Sequence, residues 1–281
     1  MEKFQIKTNC FNLSHTLECG QCFRWQKKWD IYFQILSDRV VKLQQKWSIL
    51  EISSNKTENL KNTIINYFDL DLDYWKIENE ISQIDENIQS AVKNTSWLRI
   101  LNQNFFETVI SYIISANNNI PRISKSINKI SEKYGEKVDF DGEIFYLFPT
   151  ISQLKNATIW ELERCGVWYR SPYIIETAKN LCNCQNLINR DDETNIIRKQ
   201  LLSLKWIWPK VADCILLFSL QKKESFPIDT RVEKVMKELY LPDYTWNNIK
   251  KEIQNYVQSH FWKYAWLIQE HLFYNKRMWR I

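Results

Sequence analysis

Residues 192–232 constrain the fold most, because they predict two short helices, a tight turn between them and an extended segment after them. Apolar residues recur at helical spacing as far as Leu204, and residues 205–208 break that pattern. Pro209 suits the first position of a second helix, where its missing N–H would have no partner. Residues 226–228 favour an extended backbone, and Asp229 then stands where a third helix would begin.

Two side chains of this stretch, Lys210 and Asp229, fall at predicted helix starts. The positive end of a helix dipole destabilises an ammonium ion and stabilises a carboxylate. The pattern therefore predicts a Lys210 shifted toward the neutral, nucleophilic amine and an Asp229 held ionised. The alternative, from position alone, is a lysine that contacts phosphate or solvent and an aspartate that only caps a helix.

Composition indicates a folded, non-membrane protein. The 281 residues are 44% hydrophobic and 14% aromatic, enough for two or three compact units and too apolar for a disordered chain. The net charge of +5 fits a nucleic-acid partner without requiring one. Without a long uncharged apolar run or a signal-peptide core, we expect a soluble protein of the cytoplasm. We also expect a monomer in a bacterial cell, associated with the nucleoid.

The seven cysteines favour reduced thiols over a metal site. Cys19 and Cys22 have metal-like spacing, but no second pair or histidine partner accompanies them. No cysteine follows Cys214, so the four-cysteine loop of an iron–sulfur cluster has no place in the tail. We therefore expect no metal and no cofactor.

The two parts of the chain have different periodicities. Residues 1 to about 95 contain alternating segments, at 30–36 and 39–44, and two helical patterns, at about 60–68 and 77–92. After Trp97 the pattern predicts helices and no convincing strand, with a loop at 135–149 and one helix at about 152–165. The fold class is α+β, with an α+β domain at 1–95 and a helical domain at 96–281.

Six stretches carry a family resemblance that spans nearly the whole chain. They are Phe-Asn-Leu-Ser-His-Thr-Leu-Glu-Cys-Gly-Gln-Cys-Phe-Arg-Trp at 11–25, Ser-Ala-Asn-Asn-Asn-Ile-Pro-Arg at 115–122, Tyr-Arg at 169–170, Pro-Lys-Val-Ala-Asp-Cys at 209–214, Phe-Pro-Ile-Asp at 226–229 and Gln-Glu-His-Leu-Phe at 269–273. Together they resemble the 8-oxoguanine DNA glycosylases of the helix–hairpin–helix superfamily. The resemblance implies a TBP-like antiparallel sheet with helices, then an all-helical core of two subdomains with the helix–hairpin–helix at about 192–220.

The resemblance also implies an activity, base-excision repair of duplex DNA that contains 8-oxoguanine, in which the damaged nucleotide is flipped out of the stack. Lys210 then attacks the sugar C1′, and the Schiff base that follows permits β-elimination of the strand, which makes the enzyme a glycosylase and an AP lyase. Asp229 stabilises positive charge on the sugar and assists proton transfer.

Four residues match the family's base pocket. Gly20 matches the residue whose backbone carbonyl accepts a hydrogen bond from the N7–H of 8-oxoguanine, which guanine lacks. Cys214 and Phe273 match the residues that sandwich the base, and Gln269 matches the one that bonds its Watson–Crick edge. The alternative for Gly20 is an ordinary turn residue, and Cys214 and Phe273, taken singly, would more often be core residues.

Four further residues match the group that replaces the flipped base and reads the partner strand. Asn117, Arg122 and Arg170 match the readers of the unpaired cytosine, and Tyr169 matches the wedge. The alternative is an asparagine that caps a helix and two solvated arginines.

The hairpin departs from the family's Gly-x-Gly pattern, because Trp206 and Trp208 occupy the two glycine positions. Backbone N–H groups of that hairpin approach a DNA phosphate, and the family's hairpin carbonyls can hold a structural cation, which the sequence leaves open. Trp168 also stands at a family glycine position, as do Trp75, Trp97 and Trp266 by looser matching. With 13 tryptophans and 4 glycines in the chain, we hypothesise that a codon reassigned to glycine, UGA being the candidate, has been read as tryptophan.

Two other functions are compatible with parts of the pattern. One is a DNA-binding paralogue without catalysis, which the hairpin tryptophans favour and the presence of Lys210 and Asp229 opposes. The other is a glycosylase for another damaged base, such as a methylated purine, whose enzymes usually lack the lysine.

Overall fold

The computed structural model describes residues 2–183, 188–244 and 248–278. The start of the helix expected at about residue 246 lies outside these residues, as do Cys184, Trp246 and Trp279.

The first half contains an antiparallel sheet, as its alternating pattern predicts. Its five strands have the order β1-β5-β4-β3-β2. They are β1 (Glu2–Lys7), β2 (Gln26–Lys28), β3 (Ile31–Leu36), β4 (Arg39–Lys46) and β5 (Ile49–Ser54). One face of the sheet, with Tyr32, Leu43 and Leu50, packs on the helices at 13–18 and 60–67 and buries their apolar sides.

A second hairpin, β6 (Lys137–Phe140) with β7 (Glu143–Tyr146), corrects the expectation of a loop without strands. Phe140 and Phe145 cover Phe33 and Ile35 on the other face of the large sheet, so β3 is buried on both faces. The turn between the strands is Asp-Gly with positive φ at both residues, 56° and 79°. That dipeptide is a strong hairpin signal, and it is visible in the sequence.

Helices make up most of the remaining chain. They are α1 (Leu13–Glu18), α2 (Leu60–Tyr67), α3 (Tyr74–Ile81), α4 (Glu86–Asn94), α5 (Phe105–Ser115), α6 (Ile120–Tyr134), α7 (Ile151–Lys155), α8 (Ile159–Arg164), α9 (Ser171–Asn183), α10 (Thr194–Ser203), α11 (Pro209–Leu220), α12 (Thr230–Tyr240), α13 (Ile249–Tyr256) and α14 (Ala265–Met278). None of the described helices is both long and apolar enough to cross a membrane.

Two segments expected as single helices are each two helices. Asp85 accepts a hydrogen bond from the backbone of Ile88 and starts α4, which divides the segment at 77–92. Thr158 and Glu161 form a capping box that starts α8, which divides the segment at 152–165. In both cases a capping side chain satisfies the free N–H groups of a new helix start, and this outweighs the continuous apolar pattern.

The helix–hairpin–helix of α10 and α11 lies where the sequence predicts it. Every residue of α11 from Val211 to Leu220 is buried, so this helix is the centre of the helical core. Its one buried carboxylate, Asp213, pairs with Arg198 of α10 through two hydrogen bonds of 2.8 and 3.3 Å. A paired guanidinium compensates the buried charge and fixes how the two helices meet.

Five tryptophans of the described residues have left-handed backbones. The φ angles are 60° at Trp29, 58° at Trp47, 65° at Trp97, 51° at Trp168 and 74° at Trp206. This region costs an L-residue about 1–2 kcal/mol and suits glycine. The angles support the glycine hypothesis at these positions, two of which, Trp29 and Trp47, are not suspect from the sequence.

The backbone gives no such support at three other suspected positions. Trp208 has φ −84°, and Trp75 and Trp266 lie in helices α3 and α14 without positive φ. Trp266 is 2% exposed and its ring meets the edge of Tyr74. Sequencing the gene tests the hypothesis, because UGG codons at positions 168, 206 and 208 would show that these tryptophans are genuine.

Replacing Trp29 and Trp47 by glycine should stabilise the fold. Each is the first residue of a two-residue turn, between β2 and β3 and between β4 and β5, and their side chains are 93% and 96% exposed, so little contact is lost. Relief of about 1–2 kcal/mol of strain, less about 0.5–1 kcal/mol for the entropy of glycine, leaves a gain of about 0.5–1 kcal/mol each. Urea unfolding measures this gain.

Trp25 provides the matched control for that measurement. Its indole N–H donates to the Tyr67 hydroxyl at 3.1 Å and its ring lies 6.2 Å from that of Phe68. Trp25→Gly should therefore cost about 3 kcal/mol. Equal losses of stability at Trp25, Trp29 and Trp47 would contradict the assignment of strain to the turns.

Candidate active site

A cleft of about 460 Å³ lies where the end of α5 and the starts of α6, α11 and α12 meet α14. It collects eight of the twelve residues that the motifs single out. These are Gly20, Asn117, Trp208, Lys210, Cys214, Asp229, Gln269 and Phe273. Arg122, Tyr169, Arg170 and Trp206 are not among the residues that line it.

Lys210 is the second residue of α11, directly after Pro209, and is half-buried. Its Nζ lies 3.4 Å from Ser115 Oγ and 4.8 Å from the centre of the Tyr112 ring. The distance to the ring is that of a cation–π contact. Across the described ranges, Lys210 forms no ion pair with a carboxylate, so the hydroxyl of Ser115 is its hydrogen-bond partner and the amine lines the cleft.

Asp229 caps α12, as expected. Its Oδ1 accepts hydrogen bonds from the backbone N–H groups of Arg231 at 2.9 Å and Val232 at 2.8 Å. Those bonds fix the carboxylate on the same cleft that Lys210 lines. Capping a helix and facing the reacting sugar are therefore compatible roles for this side chain.

Gly20 is more than a turn residue. Its φ is +108°, and a Cβ at this position would lie 2.9 Å from Arg277 Nη1, 3.2 Å from Ile120 Cδ1 and 3.6 Å from Phe273 Cε1. Only glycine combines this backbone with such close neighbours. The segment after α1 can therefore bring its backbone directly against the cleft.

The side chains expected around the base also reach the cleft. Cys214, one turn beyond Lys210, is buried, and burial raises the pKa of its thiol to about 12, so the thiol is neutral. Gln269 is 5% exposed, and its Oε1 has no hydrogen-bond partner among the residues described. A buried acceptor without a partner is free to bond a ligand.

Arg170 is not the solvated arginine of the alternative interpretation. It is 6% exposed, and its Nη2 donates to the backbone carbonyls of Ala116 and, at 3.3 Å, Asn117. Its guanidinium lies 4.3 Å from the centre of the Tyr169 ring, which is 55% exposed. In this conformation Arg170 holds Asn117, whose φ is +50°, at the end of α5.

Arg122 lies near the start of α6 with an exposed side chain. Its backbone N–H donates to Asn119 Oδ1 at 3.1 Å, so Asn119 is the helix cap of the Asn-Asn-Asn run. Asn117 is therefore not needed as that cap and lines the cleft instead.

The two tryptophans of the hairpin between α10 and α11 have different backbone conformations. Trp206 has the left-handed backbone that glycine would adopt, and its indole stacks on Tyr173 at 3.7 Å while Nε1 donates to Glu176 Oε2 at 2.7 Å. Trp208 does not require glycine, because its φ of −84° and ψ of 162° are extended. Its ring is 57% exposed at the edge of the cleft.

Glu270 is the cleft residue that sequence reasoning missed. It is 3% exposed and lies beside Gln269 on α14, where its Oε1 accepts from Gln269 Nε2 at 3.4 Å. It stands inside the matched stretch 269–273, but only its position in the fold distinguishes it from a surface glutamate. Within the described ranges, no three His, Cys, Asp or Glu side chains cluster as a metal site.

Models of known protein families match both halves of the chain. Residues 3–109 match the model of the 8-oxoguanine DNA glycosylase N-terminal domain. Residues 110–261 match that of the HhH-GPD superfamily of base excision DNA repair proteins. The chain belongs to this superfamily.

Individual relatives agree with this assignment. The N-glycosylase/DNA lyase of Saccharomyces cerevisiae is 29% identical, over 89% of this chain and 73% of its own length. The N-glycosylase/DNA lyase OGG1 of Arabidopsis thaliana is 27% identical, over 88% and 71%. The solved 8-oxoguanine glycosylase/lyase of Clostridium acetobutylicum, in complex with duplex DNA containing cytosine opposite 8-oxoguanine, is 37% identical, with a TM-score of 0.88 over 96% of this chain and 93% of that one.

These findings confirm the α+β fold followed by a helical glycosylase core. They also establish the enzyme class: the protein is a base-excision repair N-glycosylase and DNA lyase. A DNA-binding paralogue without catalysis is thereby set aside.

Proposed function

We propose that this enzyme removes 8-oxoguanine from opposite cytosine in duplex DNA, with Lys210 as nucleophile. The observation that carries the proposal is the single cleft in which Lys210 and Asp229 face Gly20, Gln269 and Phe273. The Clostridium acetobutylicum relative, solved on duplex DNA with cytosine opposite 8-oxoguanine, supports the same substrate and the same opposite base.

The chemistry of the cleft accounts for both activities. The Lys210 amine, once deprotonated, forms a bond to C1′ as the glycosidic bond breaks, and the base leaves with that bonding pair and gains a proton. Opening of the sugar ring gives an imine to Lys210, which makes the 2′ proton acidic. Loss of that proton expels the 3′ phosphate and cuts the strand. Asp229 stabilises the positive charge on the sugar, and no cofactor is needed.

Recognition of the lesion rests on the other side of the cleft. The Gly20 carbonyl accepts the N7–H of 8-oxoguanine, which unmodified guanine cannot offer. Gln269 bonds the Watson–Crick edge with its free carbonyl oxygen, and Phe273 and the neutral Cys214 thiol lie against the two faces of the base.

The undamaged DNA strand contacts the rim of the cleft, which is formed by α5, α6 and the turn at 168–170. Arg122 and Asn117 read the unpaired cytosine. Tyr169, with its exposed ring, stacks in the gap, and Arg170 supports Asn117 from behind. We propose that the enzyme acts as a monomer on the bacterial nucleoid, which its net charge of +5 suits. A cation on the hairpin carbonyls is compatible with this arrangement.

Base release from defined duplexes tests the substrate. Duplexes with a single 8-oxoguanine opposite each of the four bases are incubated with enzyme, and released base and cut strand are measured separately. We expect both products, fastest opposite cytosine. A duplex with a methylated purine is the competing substrate, and release of that base in place of 8-oxoguanine would contradict the proposal.

A further inference from the structure

Glu270 places a second carboxyl group in the cleft, apart from Asp229. Its Oε2 is buried and has no hydrogen-bond partner in the part of the chain that the structure describes. Burying such an atom without a partner costs free energy, so a purely structural role leaves it unexplained. Because the residue lines the cleft, a bound base is the available partner.

The surroundings of Glu270 favour the neutral acid. The pKa of its carboxyl is raised to about 8, chiefly by burial and also by the negative charge of Asp229. The neighbouring Cys19 and the cations Arg277 and Lys210 act in the opposite direction. The other titratable groups that face Glu270 are Tyr112 of α5 and Cys214 of α11. At neutral pH the group is therefore mostly a carboxylic acid with one O–H to donate.

The two carboxyl groups of the cleft thus have different environments. Asp229 accepts two backbone N–H bonds at a helix start, whereas Glu270 lies among buried side chains on α14. Environments that separate two carboxyl groups in this way usually separate their roles.

We propose that Glu270 is a second base-recognition residue, whose neutral carboxylic acid donates a hydrogen bond to an acceptor atom of the flipped purine beside Gln269. The acceptor is a carbonyl oxygen or a ring nitrogen, since these are the atoms of an oxidised purine that can receive an O–H. This inference rests on the proposed function, because it concerns the same base in the same cleft.

Two variants separate this role from a structural one. Glu270→Gln keeps a donor of similar size, and Glu270→Leu removes it. In single-turnover assays at pH 7, we expect Glu270→Leu to slow release of 8-oxoguanine about tenfold, which corresponds to about 1.4 kcal/mol, and Glu270→Gln to retain most of the rate. Cleavage of a duplex with an abasic site, which has no base to recognise, should lose much less of its rate than base release does in Glu270→Leu. Equal losses on both substrates would overturn the proposal.

The pH profile provides a test that does not depend on Glu270→Leu folding. The ratio of the wild-type rate of base release to that of Glu270→Gln should be constant well below pH 8 and fall as pH rises through about 8. It falls because the wild-type carboxyl loses its proton there while the amide keeps its donor. A flat ratio from pH 6.5 to 9.5 would overturn the inference, whereas failure of the proposed substrate appears as wild-type enzyme that releases no 8-oxoguanine.

Discussion

Lys210→Gln should yield no covalent adduct when borohydride is added to the enzyme on 8-oxoguanine DNA. Borohydride reduces an imine to a stable amine, and only a primary amine in the cleft can form that imine. An amide keeps the polarity and most of the length of the side chain, so the fold and DNA binding should survive. We expect base release to slow roughly 1,000-fold, which corresponds to about 4 kcal/mol of transition-state stabilisation.

Lys205→Gln is the matched control. This lysine is on the same hairpin, but its side chain is 60% exposed and pairs with Glu176 at 3.1 Å. Its loss should leave trapping and base release within about twofold of wild type, because exposed ion pairs contribute little. An adduct that persists in Lys210→Gln would assign the nucleophile to another amine. Trapping lost with base release unchanged would restrict Lys210 to the lyase step.

Gly20→Ala should remove recognition of the base and spare the lyase reaction. The alanine Cβ would lie 2.9 Å from Arg277 Nη1 and 3.2 Å from Ile120 Cδ1, on a backbone with φ +108°. Strain of about 1–2 kcal/mol together with displacement of the carbonyl should slow release of 8-oxoguanine about 100-fold, or about 2.7 kcal/mol. Cleavage of a duplex with an abasic site should remain within about threefold of wild type.

Gly142→Ala separates backbone strain from crowding of the pocket. Gly142 has φ +79° in the β6–β7 turn, and a Cβ there would meet nothing within 4 Å. That variant should lose about 1 kcal/mol of stability and keep both activities. If it slowed base release as much as Gly20→Ala, general destabilisation would explain the effect and Gly20 would have no special role.

Much of the fold could be predicted because local signals agree with it. Pro209 begins α11 and Asp229 caps α12, as their residue types predict. The helices divided at Asp85 and Thr158 were missed because an apolar pattern continues across both caps, although the capping residues are visible in the sequence. The hairpin β6–β7 was missed because its strands are short and gain their stability from the face of the large sheet, a contact between residues about 100 positions apart.

Residues of the site could be predicted from the sequence only where they belong to a recognisable motif. Gly20 and Lys210 are recognisable by their neighbours in the sequence, but nothing there shows that Arg170 is buried behind Asn117 or that Glu270 has an unpaired oxygen. Those properties depend on which helices pack together. The left-handed backbones of Trp29 and Trp47 were equally hidden, because a tryptophan is not a turn signal.

The hairpin β6–β7 ties the two halves of the enzyme into one folding unit. It belongs to the helical half, yet Phe140 and Phe145 cover the sheet, and Lys28 and Lys42 of the sheet pair with its Glu143 and Asp141. Neither half can therefore bury its own apolar surface when separated from the other. Base release and strand cutting should therefore be lost together in one cooperative transition on heating.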